Sequence, residues 1–273
     1  MSREPRFKPS DWALILGASS GFGGATSVEL AKRGMNIFGV HLDRQATMPA
    51  VQQILKEIKH AGTKAVFFNI NAADAIKRTE TLDEIQERFS SETGCTVKVV
   101  LHSLAFGTLK PFISKKSDDV VSQAQMEMTL DVMAHSLIYW VQGLITRNLM
   151  RTGGRIFAMT SSGAQTVIPS YGAISAAKAA LESHIRQLAM ELGPFGITAN
   201  AILAGVTETP ALKKIPLAAN MIHVAKSKNP QHRLTTPEDV ARAIALLSQE
   251  DSYFISGNVI GVDGGEDKAG YVG

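Results

Sequence analysis

WALILGASSGFGGA (Trp12–Ala25) starts with a run of apolar residues, turns through glycine and continues into an amphipathic stretch. Gly17, Gly21 and Gly23 follow the spacing G-x3-G-x-G. Each has a distinct physical task in a strand–turn–helix unit. One lets the strand turn sharply, a second lets the backbone approach a pyrophosphate, and a third lets helix and strand pack closely. The helix N-terminus then presents free N–H groups and partial positive charge to phosphates. The hydroxyls of Ser19 and Ser20 add donors, and Phe22 lies in the same turn. A lone glycine triplet is a weak signal, but here it follows a strand and opens a helix, as dinucleotide binding requires.

The rest of the chain repeats the pattern. Trp12–Gly17, Asn36–Val40, Lys64–Phe68, Val97–Leu101, Arg155–Met159, Ile197–Leu203 and Asn258–Val262 are short, continuously apolar runs. Such runs suit strands of a parallel sheet covered on both faces. Helical patterns fall between them, at Gly23–Arg33, Ala50–Ala61, Ala73–Phe89, Gln123–Met150, Ser175–Leu192 and Pro237–Leu247. Thr236 followed by Pro237 reads as a cap and a first-turn proline. The alternation predicts an α/β fold, a doubly wound, Rossmann-like parallel sheet of about seven strands with helices on both faces. No repeat, low-complexity tract or linker interrupts it, so residues 1–273 read as one dinucleotide-binding domain. Thr207–Arg233 is a long connection that mixes apolar residues with lysines, and is expected to cover substrate.

Composition narrows the function classes. The chain has 273 residues, 45% hydrophobic and 19% charged, which is ordinary for a globular protein. A net charge of +3 is too weak and dispersed to argue for nucleic acid. No run of about 18 apolar residues occurs, so no membrane span is expected. Met1–Ser10 is polar and basic, without the apolar segment of a secretion signal, and a cytoplasmic location is expected. Cys95 is the sole cysteine, which rules out an internal disulfide, and it reads as a small apolar filler. Seven histidines show no metal-ligand spacing, so no metal is expected. His135 reads as a helix-packing residue.

Cofactor choice is set at the end of the second strand, in GVHLDR (Gly39–Arg44). An acid there holds ribose hydroxyls, and a base favours a 2′-phosphate. Arg44, helped by His41, points to NADP, while Asp43 keeps NAD open.

With these segments in order, the chain resembles the short-chain dehydrogenase/reductase family from about Asp11 to Gly265. GASSGFG (Gly17–Gly23) is similar to the family's glycine loop, with Leu16 where threonine is common. NINAAD (Asn69–Asp74) resembles the segment beside the adenine, which implicates Asn71 and Ala72. NAILAGVTET (Asn200–Thr209) is similar to the loop after the sixth strand, which implicates Ala204, Gly205, Val206 and Thr209 at the nicotinamide carboxamide. VIGVDGG (Val259–Gly265) resembles the closing strand. VLHSLAFG (Val100–Gly107) departs from the family's commoner N-N-A-G and resembles bacterial enoyl-acyl-carrier-protein reductases, which places Ser103, Leu104 and Ala105 along the cofactor. His102 in that stretch is a weaker candidate. The resemblance also implies a homotetramer, in which the long fourth and fifth helices pair between subunits; the apolar stretches Leu130–Leu144 and Ala179–Leu192 permit this and permit burial within one subunit equally well.

Tyr171 and Lys178, in SYGAISAAK (Ser170–Lys178), stand seven positions apart, whereas most of the family spaces the pair at four. Four back from Lys178 is Ile174, which cannot donate a proton. Seven helical residues keep two side chains on one face, with an axial offset of about 10 Å against about 6 Å for four; alternatively the tyrosine sits in non-helical chain just before the helix and swings back. The resemblance gives Tyr171 the role of proton donor and Lys178 that of holding the nicotinamide ribose and, as a nearby cation, of favouring the phenolate and easing its proton loss. Ser161 is a further polar contact to substrate, with Ser162 as competitor. Ser161 is also the residue expected in ketone reductases, where enoyl reductases of the main bacterial type carry a second tyrosine. Met133 stands where ordinary members place an asparagine. The mixture resembles a minority type of bacterial enoyl reductase. It implies NAD(P)H-dependent reduction of an enoyl thioester in fatty-acid synthesis, on acyl carrier protein or coenzyme A, with the Thr207–Arg233 lysines facing an acidic carrier. A 3-oxoacyl or ketone reductase and a non-catalytic dinucleotide-binding regulator stay open as alternatives.

Overall fold

The computed structural model describes residues 7–215 and 218–270. Residues 1–6 of the basic N-terminal stretch, and Pro216 and Leu217 of the expected covering segment, lie outside the described residues.

Seven strands form one parallel sheet in the order β3-β2-β1-β4-β5-β6-β7. In chain order, β1 (Asp11–Leu16) leads to α1 (Gly21–Lys32), β2 (Asn36–His41) to α2 (Met48–His60), and β3 (Ala65–Asn69) to α3 (Ala75–Ser91). β4 (Thr96–His102) is followed by α4 (Gln123–Leu130), a π-helical turn at Asp131–His135, and α5 (Ser136–Thr146). Next come β5 (Arg155–Thr160), α6 (Gly172–Leu192), β6 (Thr198–Ala204), α7 (Ala218–Lys228), α8 (Pro237–Leu247) and β7 (Val259–Val262).

The inner strands are mostly apolar because both faces are covered, whereas the edge strands β3 and β7 are only partly buried. Leu14, Leu16, Phe38, Val100 and Ile156 face one core with Leu82 and Ile85 of α3, Trp140 of α5 and Leu181 and Ile185 of α6. Ala13, Ile15, Ile37, Leu101 and Phe157 face the other with Leu30 of α1, Ile58 of α2 and Ile244 of α8. Cys95 is buried in the first of these cores. This is the doubly wound α/β sheet that the sequence predicts. No helix among the described residues is long and apolar enough to cross a membrane.

Two predicted elements differ. The helix expected over Gln123–Met150 is broken by the π-helical turn and ends at Thr146. Arg147 caps it, and Asn148 takes φ 54°, a left-handed conformation that asparagine tolerates better than most residues. The Thr207–Arg233 connection contains helix α7, whose mixed lysines and apolar residues hid its periodicity.

Candidate active site

The strand order reverses direction about β1, whose neighbours are β2 and β4. Loops leaving β1 and β4 part there and open a crevice at the strands' C-terminal ends. Gly17 has φ +94°, and a Cβ on it would lie 2.5 Å from the Ser103 carbonyl oxygen. A Cβ on Gly23 would lie 2.1 Å from the Gly17 carbonyl oxygen. The glycines therefore let α1 close onto the turn. Ser20 is the N-cap of α1 but makes no side-chain cap bond, and no acidic residue occupies the first turn. Unconsumed donors and the positive helix end fit the pyrophosphate of a dinucleotide.

From the glycine turn, a cavity of about 300 Å³ runs across the ends of β4, β5 and β6. It brings together Phe22, Ser103, Leu104, Ala105, Ser161, Tyr171, Lys178, Ala204, Gly205, Val206 and Thr209, all named from the sequence. A Cβ on Gly21 would touch Thr209 Cγ2 at 3.5 Å, so the glycine turn adjoins this cavity. Thr207, Ala211, Leu212, Ile215, Met221 and Lys228 of the covering segment line it as well. At the opposite end of the glycine turn, Asn71 is exposed, whereas Ala72 is buried and its carbonyl accepts from Trp140 Nε1 at 2.8 Å.

His41 is buried, and its Nδ1 lies 3.0 Å from Asp43 Oδ2. Burial pulls the Asp43 carboxyl upward, but hydrogen bonds from Thr47, Ser19 and His41 outweigh it and hold the carboxyl below its usual value. Asp43 is thus an ionised group set against the glycine turn. Arg44 is exposed.

Tyr171 is the N-cap of α6, with φ −96° and ψ 1°, and its carbonyl accepts the helix's opening bond from Ser175 N at 2.8 Å. Ser170 before it takes φ 61°, which turns the chain into the helix. Tyr171 is 7% exposed. Burial raises its phenol, opposed by a hydrogen bond with the Ser161 side chain. The net upward direction is opposite to what a nearby ammonium alone would give, so the phenol stays a donor. Ser161, rather than Ser162, meets the phenol.

Lys178 is 5% exposed, and its Nζ donates to the Met159 carbonyl at 2.6 Å. Burial lowers its pKa to about 8, with the Glu182 carboxylate pulling the other way. Ile174, one turn before Lys178, packs with Val132, Met133 and Ala177, and Met133 reaches the cavity wall. His102 is fully buried, and burial, helped by the Lys178 charge, lowers its pKa to about 3. Its Nε2 meets Ser136 Oγ at 2.9 Å, and Ser136 donates in turn to the Val132 carbonyl. Neutral His102 therefore braces the π-helical turn. His135, at the end of the π-helical turn, and His184 of α6 have ring nitrogens 2.9 Å apart, as a packing pair. Among the described residues, no group of three or more His, Cys, Asp or Glu could hold a metal ion.

Two buried acids escape a motif reading. Glu266 Oε1 accepts from Val206 N at 3.1 Å and braces the loop after β6 from 60 residues away, a separation without a local signal. Glu182 accepts from Thr160 Oγ1 at 2.7 Å. Its place one helical turn after Lys178 is a signal that spacing alone carries.

A glycine turn at the switch point of a parallel sheet, leading to a buried tyrosine, lysine and serine, defines a dinucleotide-dependent oxidoreductase. The family profile described as "Enoyl-(Acyl carrier protein) reductase" matches residues 17–266, and the chain belongs to the short-chain dehydrogenase/reductase family. It is an NAD(P)-dependent oxidoreductase. It is 27% identical to a probable tetrahydroxynaphthalene reductase of Zymoseptoria tritici, over 92% of each chain. It is 34% identical to an enoyl-[acyl-carrier-protein] reductase [NADH] of Synechocystis, over 61% of this chain and 63% of that one. The fold matches the crystal structure of an enoyl-(acyl-carrier-protein) reductase from Anaplasma phagocytophilum in complex with NAD, at 22% identity and a TM-score of 0.82, covering 100% of this chain and 97% of the other. Relatives thus divide between enoyl reductases and reductases or dehydrogenases of ketones and alcohols.

Proposed function

We propose that the protein reduces the carbon–carbon double bond of an enoyl thioester. The observation that carries this reading is the position of Tyr171 at the N-cap of α6, seven residues before Lys178, with apolar Ile174 packed at the four-residue position. The helical rise holds the two side-chain origins about 10 Å apart along the axis, against about 6 Å in the four-residue arrangement.

Reaction geometry gives that displacement a use. Bound NAD(P)H supplies a hydride. In ketone reduction, charge builds on the oxygen attached to the carbon that accepts it. In conjugate reduction the hydride reaches Cβ, and charge appears on the thioester oxygen three bonds away. A donor stabilises a transition state only where charge develops, so it must stand farther from the nicotinamide. Tyr171, kept protonated by burial, would give its proton to the developing enolate oxygen; the enol would release that proton to water as Cα takes one from water, completing the saturated thioester, and water would reprotonate Tyr171. Lys178, fixed on the Met159 carbonyl, would hold the nicotinamide ribose, and Ser161 orients the phenol. Gly17, Gly21 and Gly23 would admit the pyrophosphate, Ser19 and Ser20 would donate to it, and Ala204–Thr209 would face the carboxamide. Leu212, Ile215 and Met221 of the covering segment give the cavity an apolar wall suited to an acyl chain.

For the cofactor, Arg44 is free to meet a 2′-phosphate, which favours NADP. The ionised Asp43 beside Ser19, with His41 committed to it, favours ribose hydroxyls and hence NAD. A carboxylate against the turn would repel a 2′-phosphate, so we place NAD first. The Thr207–Arg233 lysines suit an acidic carrier protein or coenzyme A. A tetramer fits the exposed apolar residues Tyr139 on α5 and Met190 on α6.

Ketone reduction is the second reading, and the Ser161 hydroxyl beside Tyr171 favours it. Purified protein with NADH or NADPH is given a crotonyl thioester, then an acetoacetyl thioester. Faster cofactor oxidation with the enoyl compound supports conjugate reduction. Faster oxidation with the keto compound overturns it.

A further inference from the structure

The buried lysine has a neighbour that the reading above leaves without a task. Lys178 and Glu182 are one turn apart on α6, and both are more than nine-tenths buried. Their anchors are consecutive residues at the end of β5. Lys178 Nζ donates to the Met159 carbonyl at 2.6 Å, and Thr160 Oγ1 donates to Glu182 Oε1 at 2.7 Å. Thr160 shares a sheet face with Ile156 and Ala158, toward α6, so its hydroxyl is aimed into the helix by strand alternation. A buried carboxylate satisfied by one neutral hydroxyl is costly in an apolar interface. Its position along the helix from a buried ammonium supplies a reason for that cost.

We infer that Glu182 is a positioning residue for Lys178: fixed to Thr160, it supplies the buried ammonium with the negative charge that keeps it ionised and turned toward the cofactor ribose. This rests on the assignment of Lys178 to the ribose. The other groups around Lys178 do not supply that charge. His102 of β4 is neutral, and Tyr171 is held protonated. Asp263, Glu266 and Asp267 line the cavity with Lys228, at the ends of α7 and β7. Glu182 is the charge whose field raises the lysine against the effect of burial.

The test is the pH dependence of cofactor affinity in the full-length protein. NADH and NADPH are each titrated, by nicotinamide fluorescence, from about pH 6.5 to pH 10, a range that brackets the lowered lysine. Wild-type affinity is expected to fall as pH rises through about 8. Glu182→Gln keeps an oxygen for Thr160 and removes the charge. It should leave affinity at the acidic end within about twofold and move the alkaline fall to lower pH by about one unit, the scale of a nearby charge. Glu182→Asp retains the charge and should keep the fall within a few tenths of a unit of wild type. It also stands as the control if the glutamine variant folds poorly. An unmoved fall in Glu182→Gln, or an equal loss of affinity at every pH, overturns the inference. Lys178→Met separates the two assignments: if it binds cofactor as wild type does, the ribose assignment of Lys178 fails first, whatever Glu182 does.

Discussion

Tyr171 and Lys178 belong to one helix but to different parts of it: Tyr171 is the N-cap of α6, and Lys178 lies two turns inside, buried against β5. The phenol is therefore set by the turn at Ser170 and by Ser161, while the ammonium is set by the strand. The two groups can be perturbed separately.

Tyr171→Phe removes the hydroxyl and keeps the ring that packs against Gly163. The expected result is a fall in kcat of about 10²–10⁴-fold, the usual worth of a positioned proton donor. Cofactor affinity should change by less than about threefold, since the phenol is not assigned to the dinucleotide. Steady-state kinetics and a fluorescence titration of NADH check both. A surviving rate would remove Tyr171 from the chemistry.

Lys178 couples pH to stability with a definite sign. Its pKa is lowered from 10.5 to about 8 in the folded protein. Between those values the unfolded chain binds more protons than the folded one, so this residue's contribution to stability rises with pH across that window. Urea unfolding of the cofactor-free protein should show wild type gaining stability relative to Lys178→Met from about pH 8 upward. Cofactor affinity runs the other way, because it needs the ammonium.

Gly23→Ala tests the closure of α1 onto the glycine turn. The added Cβ would stand 2.1 Å from the Gly17 carbonyl oxygen, a backbone atom that cannot swing aside. The turn must open, and cofactor affinity should drop by more than about tenfold, the equivalent of roughly 1.4 kcal/mol. Unfolding with and without saturating NADH should show the cofactor's stabilisation reduced by about 1.4 kcal/mol or more.

Asp43→Ala removes the carboxylate that Ser19, His41 and Thr47 hold ionised. The ratio of kcat/KM for NADPH over NADH should rise by about tenfold or more, because repulsion of a 2′-phosphate is relieved while a ribose contact is lost. An unchanged ratio would return the choice of cofactor to Arg44.

Thr236→Ala breaks the capping box of α8, in which Thr236 Oγ1 accepts from Asp239 N at 3.2 Å and Asp239 accepts from Thr236 N at 3.0 Å. The cost should be about 1 kcal/mol in chemical denaturation, with little effect on kcat.

The parallel sheet and the glycine turn were legible in the linear chain, as was the unusual seven-residue step between Tyr171 and Lys178. These are local properties. A buried parallel strand must be apolar along its length, and Gly17–Gly23 needs no distant partner to be read as a turn. Strand boundaries accordingly agree to within about a residue of the periodicity. The tertiary structure decided what depends on residues far apart in the chain. The π-helical turn at Asp131–His135 is braced by His102 on another element, so no helical pattern announces it. Helix α7 is amphipathic only with respect to a cavity that other segments complete. The contact of His41 with Asp43, 3.0 Å between Nδ1 and Oδ2, appears only once the loop after β2 is folded. Glu182 is an ordinary helix residue until Thr160, 22 residues away on β5, places its carboxylate beside the buried lysine's strand. Burial and charge are properties of the assembled neighbourhood, and burial and charge set what these side chains can do.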